Sequence, residues 1–284
     1  MELFNRASIL GLIGLGEGLV IMTGGIDLSV GAIVGLCISV MTILIKKGVD
    51  PLIIVIISIA VSGLCGLING FIVGRTKIPP FAITLGTYLV FQSLALFIVG
   101  AGAEDMPQIV QLVKGQKIFT PILKYFPVLV LILFLIILGI IFFFTKFGVN
   151  VMAIGGNEKA SIFLGIKTKD VKLICYLITG FFCGIAAFLL IYQVGGANPV
   201  AGQPYLLESI MAVVIGGVSL NGGKGNIFNI IIGAFVMVSL TNLLNILRVD
   251  PYIQEASKGM LLLVFIYIIN AVLRYSEKNR RSIV

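Results

Sequence analysis

The stretch MTGGIDLSVGAIVGL, residues 22–36, interrupts one of the most apolar parts of the chain. Two adjacent glycines, Gly24 and Gly25, are followed by Asp27, and hydrophobic residues lie on both sides. An ionised carboxylate is costly in apolar surroundings, so it has to face a cavity, find hydrogen-bond partners or stay protonated. The stretch therefore predicts a helix that stops at the glycines and restarts at Leu28, within a hydrophobic bundle.

The composition places this stretch in a membrane. Of the 284 residues, 59% are hydrophobic and 11% are charged, and the mean hydropathy is +1.15, whereas soluble domains carry roughly 25% charged residues. Apolar runs long enough to cross a hydrocarbon core as helices alternate with short polar breaks. We predict an all-α polytopic membrane bundle of eight or nine spans, at about 7–22, 30–45, 51–73, 81–100, 122–144, 172–192, 205–220, 227–247 and 255–273.

The basic residues predict the orientation of the bundle. The charged segment 145–171 and the tail from Arg274 to Arg281 are expected to be cytoplasmic by the positive-inside rule. An even number of spans must separate them, so the weakly hydrophobic piece at 205–220 is also predicted to cross. The N-terminus and the loop 101–121 then lie outside, and the C-terminus lies in the cytoplasm. Lys46 and Lys47 fall outside, which is a mild violation of the rule.

A weak internal repeat accompanies these spans. TGGIDLSVGAIVGL (23–36) and GQPYLLESIMAVVIGG (202–217) each place glycine or proline before an acid near a serine and an apolar helix. Interrupted segments in corresponding halves are typical of discontinuous helices along a transport pathway. The residues predicted for this pathway are Gly24, Gly25, Asp27, Ser29, Gly202, Glu208 and Ser209.

Glycines also recur at a spacing that favours close helix packing in lipid. The pattern of two small residues four positions apart is found in four predicted spans and lets helix backbones approach one another. The glycines are Gly14 and Gly18, Gly31 and Gly35, Gly66, Gly70 and Gly74, and Gly180 and Gly184.

Three acids lie inside or beside apolar runs. Asp27 is expected to accept a hydrogen bond from the amide of Ser29 or Val30 as a local cap, although a substrate or proton site is an alternative. Glu208 lies near the start of its helix, where a carboxylate complements the helix dipole. Glu17 is predicted to face the bundle interior, with no role assigned. Polar residues elsewhere in the spans either join helices or line the path: Asn69, Thr84, Thr87, Gln92, Asn242 and Asn245.

Enzyme signatures are weak. The chain has no histidine, the residue most used for catalytic metals and acid–base chemistry. GVSLN (217–221) lacks the second glycine of a nucleophile elbow, and NGGKGN (221–226) does not match a phosphate-binding loop. Cys37, Cys65, Cys175 and Cys183 are read as buried packing residues. We therefore predict no catalysis, cofactor or metal, no nucleic-acid partner, and no energy source within this chain.

The segment 145–171 carries the signals of a short amphipathic helix. Asn157 is placed to cap a helix that begins at Glu158 and ends near Gly165. Its apolar residues are Ile162, Phe163 and Ile166. Because a two-turn helix has little stability alone, it is expected to need a partner surface. An ordinary solvated loop is the alternative.

Four blocks in order resemble the ribose-type sugar permeases, the membrane subunits of ABC importers for ribose, xylose, galactose, arabinose and related solutes. They cover nearly the whole chain and are GLVIMTGGIDLSVGAIVGL (18–36), PPFAITLGTYLVFQSLALFIVG (79–100), FGVNVMAIGGNEKASIFLGIK (147–167) and ANPVAGQPYLLESIMAVVIGGVSLNGGKGN (197–226). The resemblance implies a bacterial cytoplasmic membrane protein, a second permease subunit, a cytoplasmic ATPase and an extracytoplasmic sugar-binding protein.

The resemblance further implies one permease domain over 1–284, with halves at about 1–100 and 122–284 and a coupling loop at 145–171. The short helix would dock in the ATPase through positions that match the family block: Gly156, Asn157, Glu158, Ala160, Gly165 and Ile166. A proton-coupled secondary transporter using Glu17, Asp27 or Glu208 is the alternative function. Family members carry a further membrane helix before the block that starts at Phe4. Either the start codon is misplaced, the chain is truncated, or this member dispenses with that helix.

Overall fold

A computed structural model describes residues 1–100, 104–105, 125–194 and 196–281. This part of the chain forms eleven helices and one two-residue antiparallel ladder, in which β1 (Glu104–Asp105) pairs with β2 (Gly196–Ala197). The helices are α1 (Glu2–Met22), α2 (Val30–Lys46), α3 (Pro51–Arg75), α4 (Pro80–Val99), α5 (Phe126–Phe144), α6 (Lys146–Gly156), α7 (Glu158–Phe163), α8 (Thr168–Val194), α9 (Pro204–Ile215), α10 (Ile227–Ile246) and α11 (Pro251–Arg281).

The predicted all-α membrane bundle is confirmed. Six helices are long and apolar enough to cross a membrane, namely α1, α3, α4, α5, α8 and α10, and the apolar helices α2 and α9 are shorter. The two short helices are those predicted to follow a break in the chain. The backbone of α11 covers the predicted span at 255–273.

The crossing predicted at 205–220 needs a correction. Helix α9 has 12 residues, which extend about 18 Å at 1.5 Å per residue, less than the roughly 30 Å of a hydrocarbon core. It ends at Ile215, and the chain continues without helix to Asn226. Helix α9 alone therefore does not cross. The segment that follows it is only partly buried, with Gly217, Asn221, Lys224 and Asn226 exposed.

Helix α1 is the central element, and every residue from Ala7 to Met22 is buried. Around it pack α8, α9 and α10, while α2 lies against α3, α4 and α8. The four cysteines are free and buried, as predicted. By contrast, α4 and α5 expose many of their large apolar side chains, which suits contact with lipid.

Glycines form the most extensive helix contact, that between α3 and α8. A β-carbon on Gly66 would meet the carbonyl oxygen of Tyr176, and one on Gly180 would meet that of Ser62. Farther along, Gly74 lies against the backbone of Lys169. These pairs show that the two helices run antiparallel with their backbones in contact. The predicted use of small residues for helix packing is confirmed.

The bundle contains two halves of opposite direction. Helices α1 to α4 correspond in order to α8 to α11, and α1 packs on α10 as α3 packs on α8. The offset between corresponding helix limits is close to 171: 251 minus 80 for the first residues of α11 and α4, and 246 minus 75 for the last residues of α10 and α3, both give 171, while the other limits differ by 166 to 182. Helices α1 and α3 end on the side of the bundle where α8 and α10 begin, so the second half is inverted.

The loops divide between the two ends of this bundle. The end that carries α7 also holds the end of α1 and the segment 217–226, since the amide of Gly223 donates to the carbonyl of Met22 at 3.0 Å. This agrees with the predicted grouping of 74–80, 145–171 and 221–225. The predicted external loop 101–121 lies outside the described residues except for Glu104 and Asp105, and so do the side chains of the tail from Arg274.

Candidate functional site

The connection between α1 and α2 forms a sharp break in the first half. Gly24 has a φ of +83°, a conformation that glycine adopts without steric cost. Gly25 is buried, and a β-carbon there would lie 2.9 Å from the hydroxyl oxygen of Tyr176 on α8. The chain therefore turns at Gly24 and passes close against α8 at Gly25. These are the backbone roles predicted for the two glycines.

Asp27 organises the restart of the helix. Its Oδ1 accepts hydrogen bonds from the Ser29 amide at 2.9 Å and from the Ser29 hydroxyl at 2.6 Å. The predicted bond to Ser29 is thus present. The predicted restart at Leu28 is wrong, because α2 begins at Val30 with Ser29 as its N-cap residue. Asp27 holds the turn before the helix, since its short side chain bonds the backbone two residues on.

A chain of polar contacts joins this turn to two other helices. The amide of Asp27 donates to Glu17 Oε1 on α1 at 3.1 Å. From α3, Asn69 donates through Nδ2 to the Ser29 hydroxyl at 2.7 Å. All four side chains are fully buried. Glu17 faces the bundle interior, as predicted, and we call these four residues, with Tyr176, the buried carboxylate cluster.

Helix α4 fixes the turn from the other side. The Thr84 hydroxyl donates to the carbonyl of Ile26 at 3.1 Å and accepts from the amide of Leu28 at 3.0 Å. Backbone without helical hydrogen bonds inside a membrane bundle needs such partners. Thr84 and Asn69, two of the residues predicted either to join helices or to line the path, therefore join helices.

The second half has a matching break, between α8 and α9. With the offset of 171, GGIDLSVG (24–31) aligns with GGANPVAG (195–202). Asn198 takes the place of Asp27, and its Oδ1 accepts from the amide of Val200 at 3.0 Å, which repeats the turn. The predicted repeat was therefore real but wrongly registered, since it matched Asp27 with Glu208.

The two breaks meet in the interior. A β-carbon on Gly31 would lie 2.5 Å from the carbonyl oxygen of Gly202, and one on Gly202 would meet that of Gly31. Nearby, Gly35 touches the carbonyl oxygen of Pro199, to which Gln92 donates at 3.4 Å. Of the predicted pathway residues, Gly24, Gly25, Asp27, Ser29 and Gly202 thus lie in one region.

Glu208 and Ser209 lie elsewhere. Glu208 forms an ion pair with Lys258 of α11 at 2.7 Å, and Lys258 also contacts Glu255 at 2.8 Å. Ser209 is buried, and its hydroxyl donates to the Leu206 carbonyl within α9. Sequence reasoning missed Lys258, although a lysine inside a predicted span was the available signal. Truncating one partner of such a buried pair is strongly destabilising.

Glu208 also borders a cavity at the end of the bundle opposite α7. The cavity has a volume of about 520 Å³. Helices α1, α8, α9 and α10 supply its walls, and Asn242, one of the predicted polar residues, lines it. Its charged and polar lining comprises Glu2, Arg6, Gln193, Tyr205, Glu208, Thr241 and Asn242.

The short helix predicted within 145–171 is present as α7. The Asn157 side chain accepts from the amide of Ala160 at 3.0 Å, and the chain leaves the helix through Gly165, whose φ is +80°. Glu158 is anchored to Lys172 of α8 at 2.7 Å. Ile166 packs on the core. The residues at the tip are exposed instead: 56% for Ile162, 91% for Phe163 and 79% for Leu164.

A junction of glycine backbones links α6, which precedes α7, to the break after α1. A β-carbon on Gly155 would meet the carbonyl oxygen of Met22 and the amide of Gly223. One on Gly222 would lie 2.9 Å from the amide nitrogen of Gly24. We call Gly24, Gly155, Gly222 and Gly223 the glycine junction. There is no room for side chains at Gly155, Gly222 and Gly223, so α6 and the end of α1 are held in direct backbone contact.

A membrane bundle of two inverted halves, with broken helices that meet inside it, is the architecture of a transport protein. The chain belongs to the family of branched-chain amino acid transport system permease components, which matches residues 1–269. The predicted resemblance to permeases of this superfamily is thereby confirmed.

Curated relatives cover almost the entire chain. It is 36% identical over 270 residues to the ribose import permease protein RbsC of Bacillus subtilis (strain 168), which covers 93% of this chain and 82% of the relative. It is 35% identical over 265 residues to the D-allose transport system permease protein AlsC of Escherichia coli (strain K12), and the match covers 92% of this chain and 80% of the relative. It is 33% identical over 278 residues to the fructose import permease protein FrcC of Rhizobium meliloti, and the match covers 94% of this chain and 76% of the relative. No solved structure matches the chain.

Proposed function

We propose that this chain is the membrane subunit of an ATP-driven ABC importer for a monosaccharide such as ribose, and that it forms the translocation path. The observation that carries the proposal is the tip of α7. Ile162, Phe163 and Leu164 are exposed at the C-terminal end of α7, which its N-cap and the Glu158–Lys172 ion pair hold in place. Relatives that import ribose, allose and fructose support a sugar as the solute.

The partners follow from this role. A cytoplasmic ABC ATPase takes α7 into a groove, with Gly156, Asn157, Glu158, Ala160, Gly165 and Ile166 forming or positioning the contact. A second permease subunit, identical or similar, completes the path, and an extracytoplasmic sugar-binding protein delivers the solute. The chain acts as one permease domain over residues 1–284, with 145–171 as its coupling segment.

The orientation follows from the same docking. The α7 end faces the cytoplasm together with the C-terminal tail, and the end with the polar cavity faces outward, in the cytoplasmic membrane of a bacterium. The glycine junction then gives a direct route for movement. A shift of α7 passes through α6 to the end of α1, and so to the break at Gly24 and Asp27 and its meeting point with the second half at Gly202.

Reconstitution tests the proposal. Proteoliposomes that contain the chain, its genomic neighbour ATPase and the neighbouring binding protein should take up labelled ribose or a related monosaccharide only when ATP is supplied to the ATPase. Omission of either partner should abolish uptake. Uptake that an uncoupler abolishes while ATP is held constant, or failure of the chain to bind any ATPase, would contradict the proposal.

A further inference from the structure

The buried carboxylate cluster holds two acids without a basic partner in the described part of the chain. Glu17 and Asp27 are fully buried. The ion pairs found in the described part of the chain involve other acids: Glu2, Glu158, Glu208 and Glu255. The sequence contains no histidine. Carboxylates inside a membrane-spanning bundle are costly and mark functional positions unless something compensates them.

Protein hydrogen bonds satisfy only one oxygen of each carboxylate. Glu17 Oε1 accepts from the Asp27 amide, and Asp27 Oδ1 accepts from Ser29. Glu17 Oε2, Asp27 Oδ2, the Asn69 Oδ1 and the Tyr176 hydroxyl are buried and have no hydrogen-bond partner among the described residues. Buried polar atoms are almost always satisfied in folded proteins, by protein, water or an ion.

Hydrogen bonds connect three of the residues that carry these oxygens, and the fourth residue, Tyr176, lies beside them. Asn69 bonds Ser29, which bonds Asp27, and the Asp27 amide bonds Glu17. The Tyr176 hydroxyl lies against Gly25 in the same break. Two carboxylate oxygens, an amide oxygen and a phenol oxygen are hard ligands of the kind that oxygen-seeking cations take.

We propose that Glu17, Asp27, Asn69 and Tyr176 bind one sodium ion at the break between α1 and α2. A calcium ion takes six to eight oxygens, and magnesium keeps several waters in an octahedral shell, so four free oxygens in a buried site suit neither. Broken membrane helices are a setting in which sodium is bound in transporters. The ion joins α1, α3 and α8 to the break, and so fixes the turn that positions Gly31 against Gly202.

The isolated permease chain tests this site, and the outcome is independent of the proposed import of a sugar. Purified wild-type protein in detergent is melted in sodium chloride, potassium chloride, calcium chloride and choline chloride at equal ionic strength. Sodium at one hundred times its dissociation constant should raise the melting temperature by about 5 °C over choline. Equal melting temperatures in sodium and choline, or a rise only with calcium, would overturn the proposal.

Matched variants locate the ion. Glu17→Gln and Asp27→Asn keep the shape of each side chain and should lose the sodium-dependent rise. Glu208→Gln removes another buried intramembrane carboxylate and should retain it. If these two variants do not fold, equilibrium binding of ²²Na⁺ to the wild-type protein tests the site instead. We expect that binding to saturate at one ion per chain. Absence of saturable binding, or a sodium-dependent rise that persists in both cluster variants, would refute the site.

Discussion

Gly31 and Gly202 lie backbone to backbone, and each would have its β-carbon directed at the carbonyl oxygen of the other. They are equivalent positions in the two inverted halves, so the internal symmetry axis of the fold passes close to this contact. The contact joins the break after α1 to the break after α8. A rearrangement of either half would therefore displace the other half at this contact.

Enlarging this contact should destabilise the protein. Gly31→Ala or Gly202→Ala places a methyl group against backbone that has no flexible side chain to move aside, and such overpacking costs about 1 to 3 kcal/mol. We expect a lower melting temperature in detergent. Gly86→Ala in α4 is the control, because its β-carbon would meet nothing within 4 Å, and it should be neutral or slightly stabilising. Equal losses for all three would contradict the packing assigned to the breaks.

Enlarging a residue of the glycine junction should weaken the coupling between α7 and the break after α1. A methyl group on Gly155 has to separate α6 from Met22 and Gly223, whereas Gly156 has open space around its β-carbon position. With the ATPase and binding protein present, Gly155→Ala should lower ATP-driven uptake at least tenfold while α7 still binds the ATPase. Gly156→Ala should retain most uptake. Measured uptake and ATPase co-purification separate these effects, and normal uptake by Gly155→Ala would exclude this route.

The tip of α7 should dominate ATPase binding. Phe163→Ser removes the most exposed aromatic side chain of that helix, and buried aromatic anchors often contribute about 2 kcal/mol or more to an interface. The variant should fold normally and lose at least tenfold in affinity for the ATPase, as measured by titration in detergent. Leu247→Ser, an exposed apolar residue at the opposite end, should bind normally. If Phe163→Ser binds the ATPase with unchanged affinity, the ATPase binds a different surface of the chain.

The ion pair between Glu208 and Lys258 should behave as a buried unit. Lys258→Met leaves the Glu208 carboxylate unpaired and should cost about 3 to 5 kcal/mol of stability. Replacing both residues, as Glu208→Leu with Lys258→Met, should recover much of the loss. Glu255→Gln changes the more exposed partner and should cost less than about 1 kcal/mol. Unfolding of these proteins and of the single variant Glu208→Leu tests this, and a loss in the double variant equal to the sum of the two single losses would show that the pair is not coupled.

The turn at Asp27 should tolerate an amide but not a hydrocarbon. Asn198 makes the same backbone bond in the second half, so Asp27→Asn should keep the turn, the fold and much of the transport, and should lose only the added stability that a bound sodium ion supplies. Asp27→Leu removes the acceptor of two buried hydrogen bonds from Ser29, and each orphaned donor costs about 1 to 3 kcal/mol. Thermal unfolding and uptake distinguish the two variants, and equal behaviour would mean that the turn does not depend on this oxygen.

The sequence by itself determined what depends on neighbouring residues. The apolar runs predicted the spans, Asn157 and Gly165 predicted the limits of α7, and Gly24 with Asp27 predicted a break. Each rests on interactions within a few residues of chain, such as an N-cap, a turn or the length of an apolar run. The resemblance of the four blocks predicted the family for the same reason, because it is read along the chain.

Only the tertiary structure decided which distant residues meet. It paired Glu208 with Lys258, 50 residues away, brought Glu17 to the turn at Asp27, and set Asn198 rather than Glu208 opposite Asp27 in the repeat. Apolar residues facing lipid and those facing protein look alike in sequence, because lipid is as apolar as a protein interior. Hydropathy therefore shows where helices lie but not which faces join, and in this bundle the joining faces are largely backbone at glycine.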